Sequence, residues 1–146
     1  MKLKHITGMA LLGFLAASLP AQALNIGDSI VDGEVEMENI DGSKITLDSI
    51  KGEKGTLVLF SCNHCPFVIA WQKEMVTIGN EYRKQGLGVV FINSNDPDVK
   101  GDTMNGMKAL ARKEGYLFPY AVDDTSDVAR HFGASKTPDV FLLDRK

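Results

Sequence analysis

Thr56-Leu57-Val58-Leu59-Phe60-Ser61-Cys62-Asn63-His64-Cys65-Pro66 decides the reading of this chain. A β-branched threonine and four apolar residues form an unbroken run with the length of a strand buried on both faces. Two cysteines spaced three apart follow, and Pro66 then opens a long amphipathic stretch. Proline is tolerated there only in the first turn of a helix. Cys62 and Cys65 are the only cysteines in the sequence. A strand-to-helix junction sets them close together near the positive end of a helix, where a thiolate is stabilised. A bridge this short removes little chain entropy, so it would make a poor structural staple. The spacing points instead to a pair that opens and closes.

Toward the C-terminus, residues 66–85 are predicted helical. Val68, Trp71, Met75, Ile78 and Tyr82 recur at three- and four-residue steps and predict one apolar face, and Gln85-Gly86 ends the helix. Leu87 to Asn93 predicts a second buried strand and Ser94 to Gly101 a polar loop. A weaker helix over 102–114 carries Met104, Met107, Leu110 and Ala111 on one side and stops at Gly115. Tyr116 to Val122 is a short extended segment. Asp123-Asp124-Thr125 caps a helix that runs to Gly133, and Thr137-Pro138 leads into a strand at Val140-Phe141-Leu142-Leu143. Toward the N-terminus, Val31 to Met37 alternates loosely, Asp41-Gly42 is a hairpin turn and Ile45-Thr46-Leu47 returns. Strands alternating with helices predict an α/β domain with an open sheet. A strand ending near Lys146 would lie at an unpaired edge, so the domain is expected to be C-terminally incomplete.

The first 23 residues carry the pattern of an export signal. Met1-Lys2-Leu3-Lys4-His5 is basic, Ile6 to Leu19 is apolar, and Pro20-Ala21-Gln22-Ala23 ends in small-x-small. An apolar core of 14 residues is short for a membrane span, so cleavage after Ala23 and no stable membrane insertion are expected. The domain would then be residues 24–146. The signal holds two lysines and no acid, so its loss takes the formal charge from −3 to −5. A mildly acidic chain without a basic run argues against nucleic acid and anionic membrane as partners. Export would place the cysteines in an oxidising compartment, periplasmic or extracellular.

Taken together, these residues resemble the thioredoxin-like superfamily, in the exported branch shared by TlpA/ResA-like thiol–disulfide oxidoreductases and AhpC/TSA proteins. The resemblance rests on Gly27-Asp28, Asp41-Gly42-Ser43 before Ile45-Thr46-Leu47, Lys51-Gly52, the strand into Cys62-x-x-Cys65-Pro66, Phe118-Pro119-Tyr120 before Asp123, and Thr137-Pro138 before Val140-Phe141-Leu142-Leu143. It implies a central mixed sheet flanked by helices, an N-terminal β-hairpin extension, and a further strand and helix that this chain lacks. It also implies a cis Pro138 facing the cysteines, with Thr137-Pro138 as a platform for substrate peptide.

The expected activity is thiol–disulfide exchange with protein dithiols and disulfides, a membrane or periplasmic protein supplying the electrons. Cys62 and Cys65 form the redox-active disulfide, with Cys62 the expected attacking thiolate and Cys65 the expected buried resolving thiol. His64 between them is the expected tuner of the pair. No organic cofactor is expected, because no phosphate-binding glycine-rich loop occurs, and no metal. Two family features are missing. The strand Thr56 to Phe60 holds no acid to accept a proton from the resolving thiol, and Val68 stands where ResA-like proteins keep a Glu.

Two other functions fit the sequence less well. A peroxiredoxin-like peroxidase wants a Thr or Ser three residues before its Cys, whereas Leu59 precedes Cys62 and Cys62 precedes Cys65. A Sco-like copper protein would need its cysteines one residue further apart, with His131 as a third ligand. Trp71 is expected to pack on the active-site helix; Phe67 is either an exposed partner contact or buried.

Overall fold

The computed structural model describes residues 24–30, 33–96 and 101–145. The expected signal at residues 1–23 lies outside them, as do residues 31–32 at the start of the first expected strand. The elements are β1 (Met37–Asn39), β2 (Lys44–Ile45), β3 (Thr56–Phe60), α1 (Pro66–Lys84), β4 (Gly88–Asn93), α2 (Met104–Glu114), β5 (Tyr120–Val122), α3 (Asp127–Phe132) and β6 (Asp139–Leu143), with a 3-10 turn at Asp48–Ile50.

One six-stranded mixed sheet runs in the order β2-β1-β5-β4-β3-β6. β3, β4 and β5 are parallel, while β6 pairs antiparallel with β3 and β1 antiparallel with β5. The parallel strands are buried throughout β3 and β4 because helices cover both faces. Successive side chains divide between two cores, as a period of two requires. Leu57, Leu59, Val89 and Phe91 join α1 and α2 residues Val68, Met75 and Met107, together with Cys62. Val58, Phe60, Val90 and Ile92 meet Val128, Ala129 and Phe132 of α3 on the opposite face.

The N-terminal hairpin turns where expected. The Asp41 carboxylate accepts from the Ser43 N–H at 2.8 Å, and Gly42 takes φ 86°, a conformation glycine adopts at little cost. The first strand is Met37–Asn39, later than the expected Val31 to Met37, because its pairing with β5 starts at Glu38↔Val122. β6 pairs with β3 alone among the described residues, and Val140 and Leu142 on it are exposed.

The buried stripe of α1 departs from the expected one. Val68, Gln72, Met75, Val76 and Gly79 face the sheet, whereas Trp71, Ile78 and Tyr82 are exposed, Trp71 by 58%. Two residues that carry no hydrophobic signal complete the stripe. Gln72 donates to the Tyr116 hydroxyl at 2.7 Å, and Gly79 makes room for the Phe118 ring. At the start of α3, Asp123 does the expected capping from a distance: its carboxylate accepts from the Val128 and Ala129 N–H groups at 3.3 and 2.9 Å.

Candidate active site

Beyond the end of β3 the chain turns through Ser61 to Cys65 and enters α1 at Pro66. Cys65, not Cys62, is the N-cap of this 19-residue helix. Pro66 fits the first helical position because the N–H it lacks would have no helical partner. Basic Arg83 and Lys84 close the other end, complementing the helix dipole. The stabilising end of α1 therefore acts first on Cys65.

Burial separates the two thiols in the opposite sense to the expectation. Cys62 is buried and Cys65 is partly exposed; the physical reason is the helix start, which leaves Cys62 inside the end of the sheet. Burial pushes the Cys62 thiol above its usual range, against hydrogen bonds from the Thr137 hydroxyl and the Cys65 and His64 N–H groups; the Asp102 charge adds to the rise. Cys65 is held below its usual range, mainly by the Val68 N–H in the first turn of α1 and then by the Thr137 hydroxyl.

Thr137 meets both sulfurs. Its hydroxyl oxygen is 3.2 Å from Cys62 Sγ, and its carbonyl accepts from the Cys65 thiol at 3.2 Å. The Thr137–Pro138 peptide bond is cis. The loop before β6 and the turn after β3 are thus joined at the thiols, helped by the antiparallel pairing of Phe60 with Asp139.

A second loop clasps the turn from the other side. The Asp102 side chain, 0% exposed, accepts from the Asn63 N–H at 2.7 Å and from Asn95 Nδ2 at 2.7 Å, and lies 3.1 Å from His64 Nδ1. Asn63 Nδ2 donates to the Gly101 carbonyl at 2.6 Å, and the buried Tyr120 hydroxyl donates to Asn63 Oδ1 at 3.0 Å. Burial raises the Tyr120 phenol well above its usual range. Gly101 takes φ 104° beneath the His64 ring. The sequence reading missed Asp102. Its only signal was an acid directly before a helix N-cap, Thr103, whose hydroxyl accepts from Gly106 N–H at 3.2 Å.

The expected residues Cys62, His64, Cys65 and Thr137 are therefore gathered in one place, with Pro138 next to Thr137. His131 sits on α3, which packs on the sheet face away from Cys62. Among the described residues no three His, Cys, Asp or Glu side chains group as metal ligands. Phe67, in the first turn of α1 next to Cys65, and Trp71, one turn further on, are exposed.

A mixed sheet with a strand–Cys-x-x-Cys–helix turn facing a Thr–cis-Pro loop defines a thioredoxin-like α/β fold. The profile of the AhpC/TSA family matches residues 26–146, and the chain belongs to that family. It is 37% identical to a conserved protein from Geobacillus kaustophilus of known structure, with a TM-score of 0.73, covering 81% of this chain and 66% of that one. It is 24% identical over 107 residues to the thiol-disulfide oxidoreductase ResA of Halalkalibacterium halodurans, covering 73% of this chain and 57% of the relative. The chain thus spans little more than half the length of that relative. A secreted Mycobacterium tuberculosis disulfide oxidoreductase shares the fold, with a TM-score of 0.63 at 14% identity over 76% of each chain.

Proposed function

We propose that this protein is an exported thiol–disulfide oxidoreductase that exchanges electrons with protein dithiols and disulfides through Cys62 and Cys65. The observation that carries this reading is the convergence of two reduced thiols on Thr137, one on its hydroxyl and one on its carbonyl. The distant likeness to ResA supports it. The pattern of residues 1–23 supports a periplasmic or secreted location, with a membrane or periplasmic protein as electron donor.

Exchange begins at the thiol that is more exposed and closer to ionisation, Cys65. Its thiolate attacks one sulfur of a partner disulfide, forming the mixed disulfide and releasing the partner's other sulfur as a thiolate. Cys62 then loses its proton and attacks Cys65 Sγ. The second partner thiolate leaves, the Cys62–Cys65 disulfide forms, and the partner has gained two electrons. A dithiol donor reverses the steps and restores the reduced pair. The exposed Phe67 offers apolar contact to a protein partner beside Cys65.

The test is equilibration with reduced and oxidised glutathione, followed by acid quenching and thiol counting by mass. A two-electron transition between dithiol and internal disulfide is expected. A potential near about −270 mV would make the protein a reductant and one near about −120 mV an oxidant. Failure of the pair to cycle would end the exchange reading.

A further inference from the structure

We propose that His64 and Asp102 form a proton-handling pair for this exchange, with Asp102 the positioning residue and His64 the group that carries the proton. The proposal rests on the thiol-exchange reading and adds to it the acid that β3 does not supply.

The geometry comes first. Asp102 is buried in a loop from which α2 starts, yet two of its three described partners belong to the Cys-x-x-Cys turn: the Asn63 N–H and the His64 ring. The third is Asn95, beyond the end of β4. Taking a carboxylate out of water costs several kcal/mol unless donors surround it, and here the turn itself provides them. A carboxylate only accepts hydrogen bonds, so at 3.1 Å the proton between the two side chains belongs to His64 Nδ1. That bond fixes the tautomer and orients the ring, as a carboxylate does for imidazoles elsewhere. The side chain of His64 is 51% exposed while that of Asp102 is fully buried, so the rest of the ring is turned toward the solvent side where a partner arrives. Gly101 lies against the ring in a positive-φ conformation, φ 104°, that suits glycine.

The protons balance through Nε2. When Cys65 thiolate attacks, the departing partner sulfur takes a proton from the imidazolium. Neutral imidazole then accepts the Cys62 proton as Cys62 attacks Cys65, and passes it to the second departing sulfur. Cys62 needs such an acceptor more than Cys65 does, because it is the buried thiol and the one Asp102 itself disfavours as a thiolate. The described titratable groups around the turn are Cys62 and Cys65 on it, Asp102 from the loop ahead of α2, and Tyr120 from β5. Tyr120 stays protonated and donates to Asn63, so it takes no proton from the exchange.

The experiment measures oxidation of the reduced protein by glutathione disulfide between pH 5 and 9, for wild type, His64→Ala, Asp102→Asn and the double variant. The expected result is a rate loss of about a hundredfold for His64→Ala, the low end for a positioned acid–base group, with a changed pH profile. Asp102→Asn should lower the rate and change the profile in the same sense, and the double variant should lose no more than His64→Ala alone. An unchanged profile in His64→Ala overturns the proposal, and so do losses that multiply in the double variant. His64→Ala keeps the Asn63 and Asn95 bonds to Asp102, so it decides the matter even if Asp102→Asn fails to fold. A wild type that does not react at all would instead overturn the exchange reading.

Discussion

The Thr137 hydroxyl oxygen lies 3.2 Å from Cys62 Sγ although the two residues are 75 apart in the chain. The same hydroxyl also favours the thiolate of Cys65. Removing it while keeping the carbonyl and the shape, as in Thr137→Val, takes a stabilising hydrogen bond from both thiolates. Both thiols should therefore titrate at higher pH. The pH dependence of iodoacetamide labelling should shift upward for each cysteine, with slower labelling at neutral pH and little change in thermal stability. A profile that stays put or moves down would show that the hydroxyl does not act on the sulfurs.

Cys65 should be alkylated before Cys62. It is the more exposed thiol, caps α1 and is held toward the thiolate, while Cys62 is buried and held toward the thiol. With limiting iodoacetamide at neutral pH, fragmentation of the peptide spanning both residues should place the first carbamidomethyl group on Cys65. Labelling of Cys62 first would mean that the turn opens before it reacts, and would restore the order expected from the sequence.

The burial of the two thiols is the reverse of the expected one for a local reason. The sequence placed the cysteine pair, the strand ahead of it and Thr137-Pro138 correctly, because each is written in a short contiguous signal. It also placed Pro66 in the first turn of α1, from which it follows that Cys65 rather than Cys62 meets the helix end. Asp102 was illegible because burial of a charged residue depends on partners brought from the ends of two different strands. Asn63 and His64 come from the end of β3, and Asn95 from beyond β4. The apolar face of α1 was misassigned because hydrophobicity favours Trp71 over Gln72, whereas the packing needs an amide donor for Tyr116 and no side chain at Gly79.

Tyr116 and Tyr120 make the fold sensitive to alkali. Burial pushes Tyr116 up to about 12 and raises Tyr120 further still. The unfolded chain releases these protons near pH 10, before the folded chain does. Stability from the two phenols is thus fully present below pH 10 and is lost as pH rises toward the folded values, at up to about 1.4 kcal/mol per pH unit for each. Urea midpoints should fall steeply from about pH 10 upward. Tyr116→Phe should reduce the slope, at the cost of the Gln72 bond at lower pH. Equal slopes in the two proteins would show that Tyr116 ionises freely in the folded state.

Gly79→Ala tests whether α1 is held at its observed distance from the sheet. In an isolated helix the change would stabilise by about 1 kcal/mol. Here the new Cβ would come 2.5 Å from Cε1 and 3.0 Å from Cδ1 of Phe118. The Phe118 ring is hemmed in by Phe91 and Tyr116, at centroid distances of 4.5 and 4.9 Å, so it has little room to retreat. Overpacking of this kind costs about 1–3 kcal/mol and outweighs the helical gain. A melting temperature lower by a few degrees is expected. Because α1 carries Cys65 at its N-cap, the ring clash should also push the helix outward and change the rate at which Cys65 is alkylated. A variant as stable as wild type would show that the Phe118 ring yields, and that the spacing of α1 is not set at Gly79.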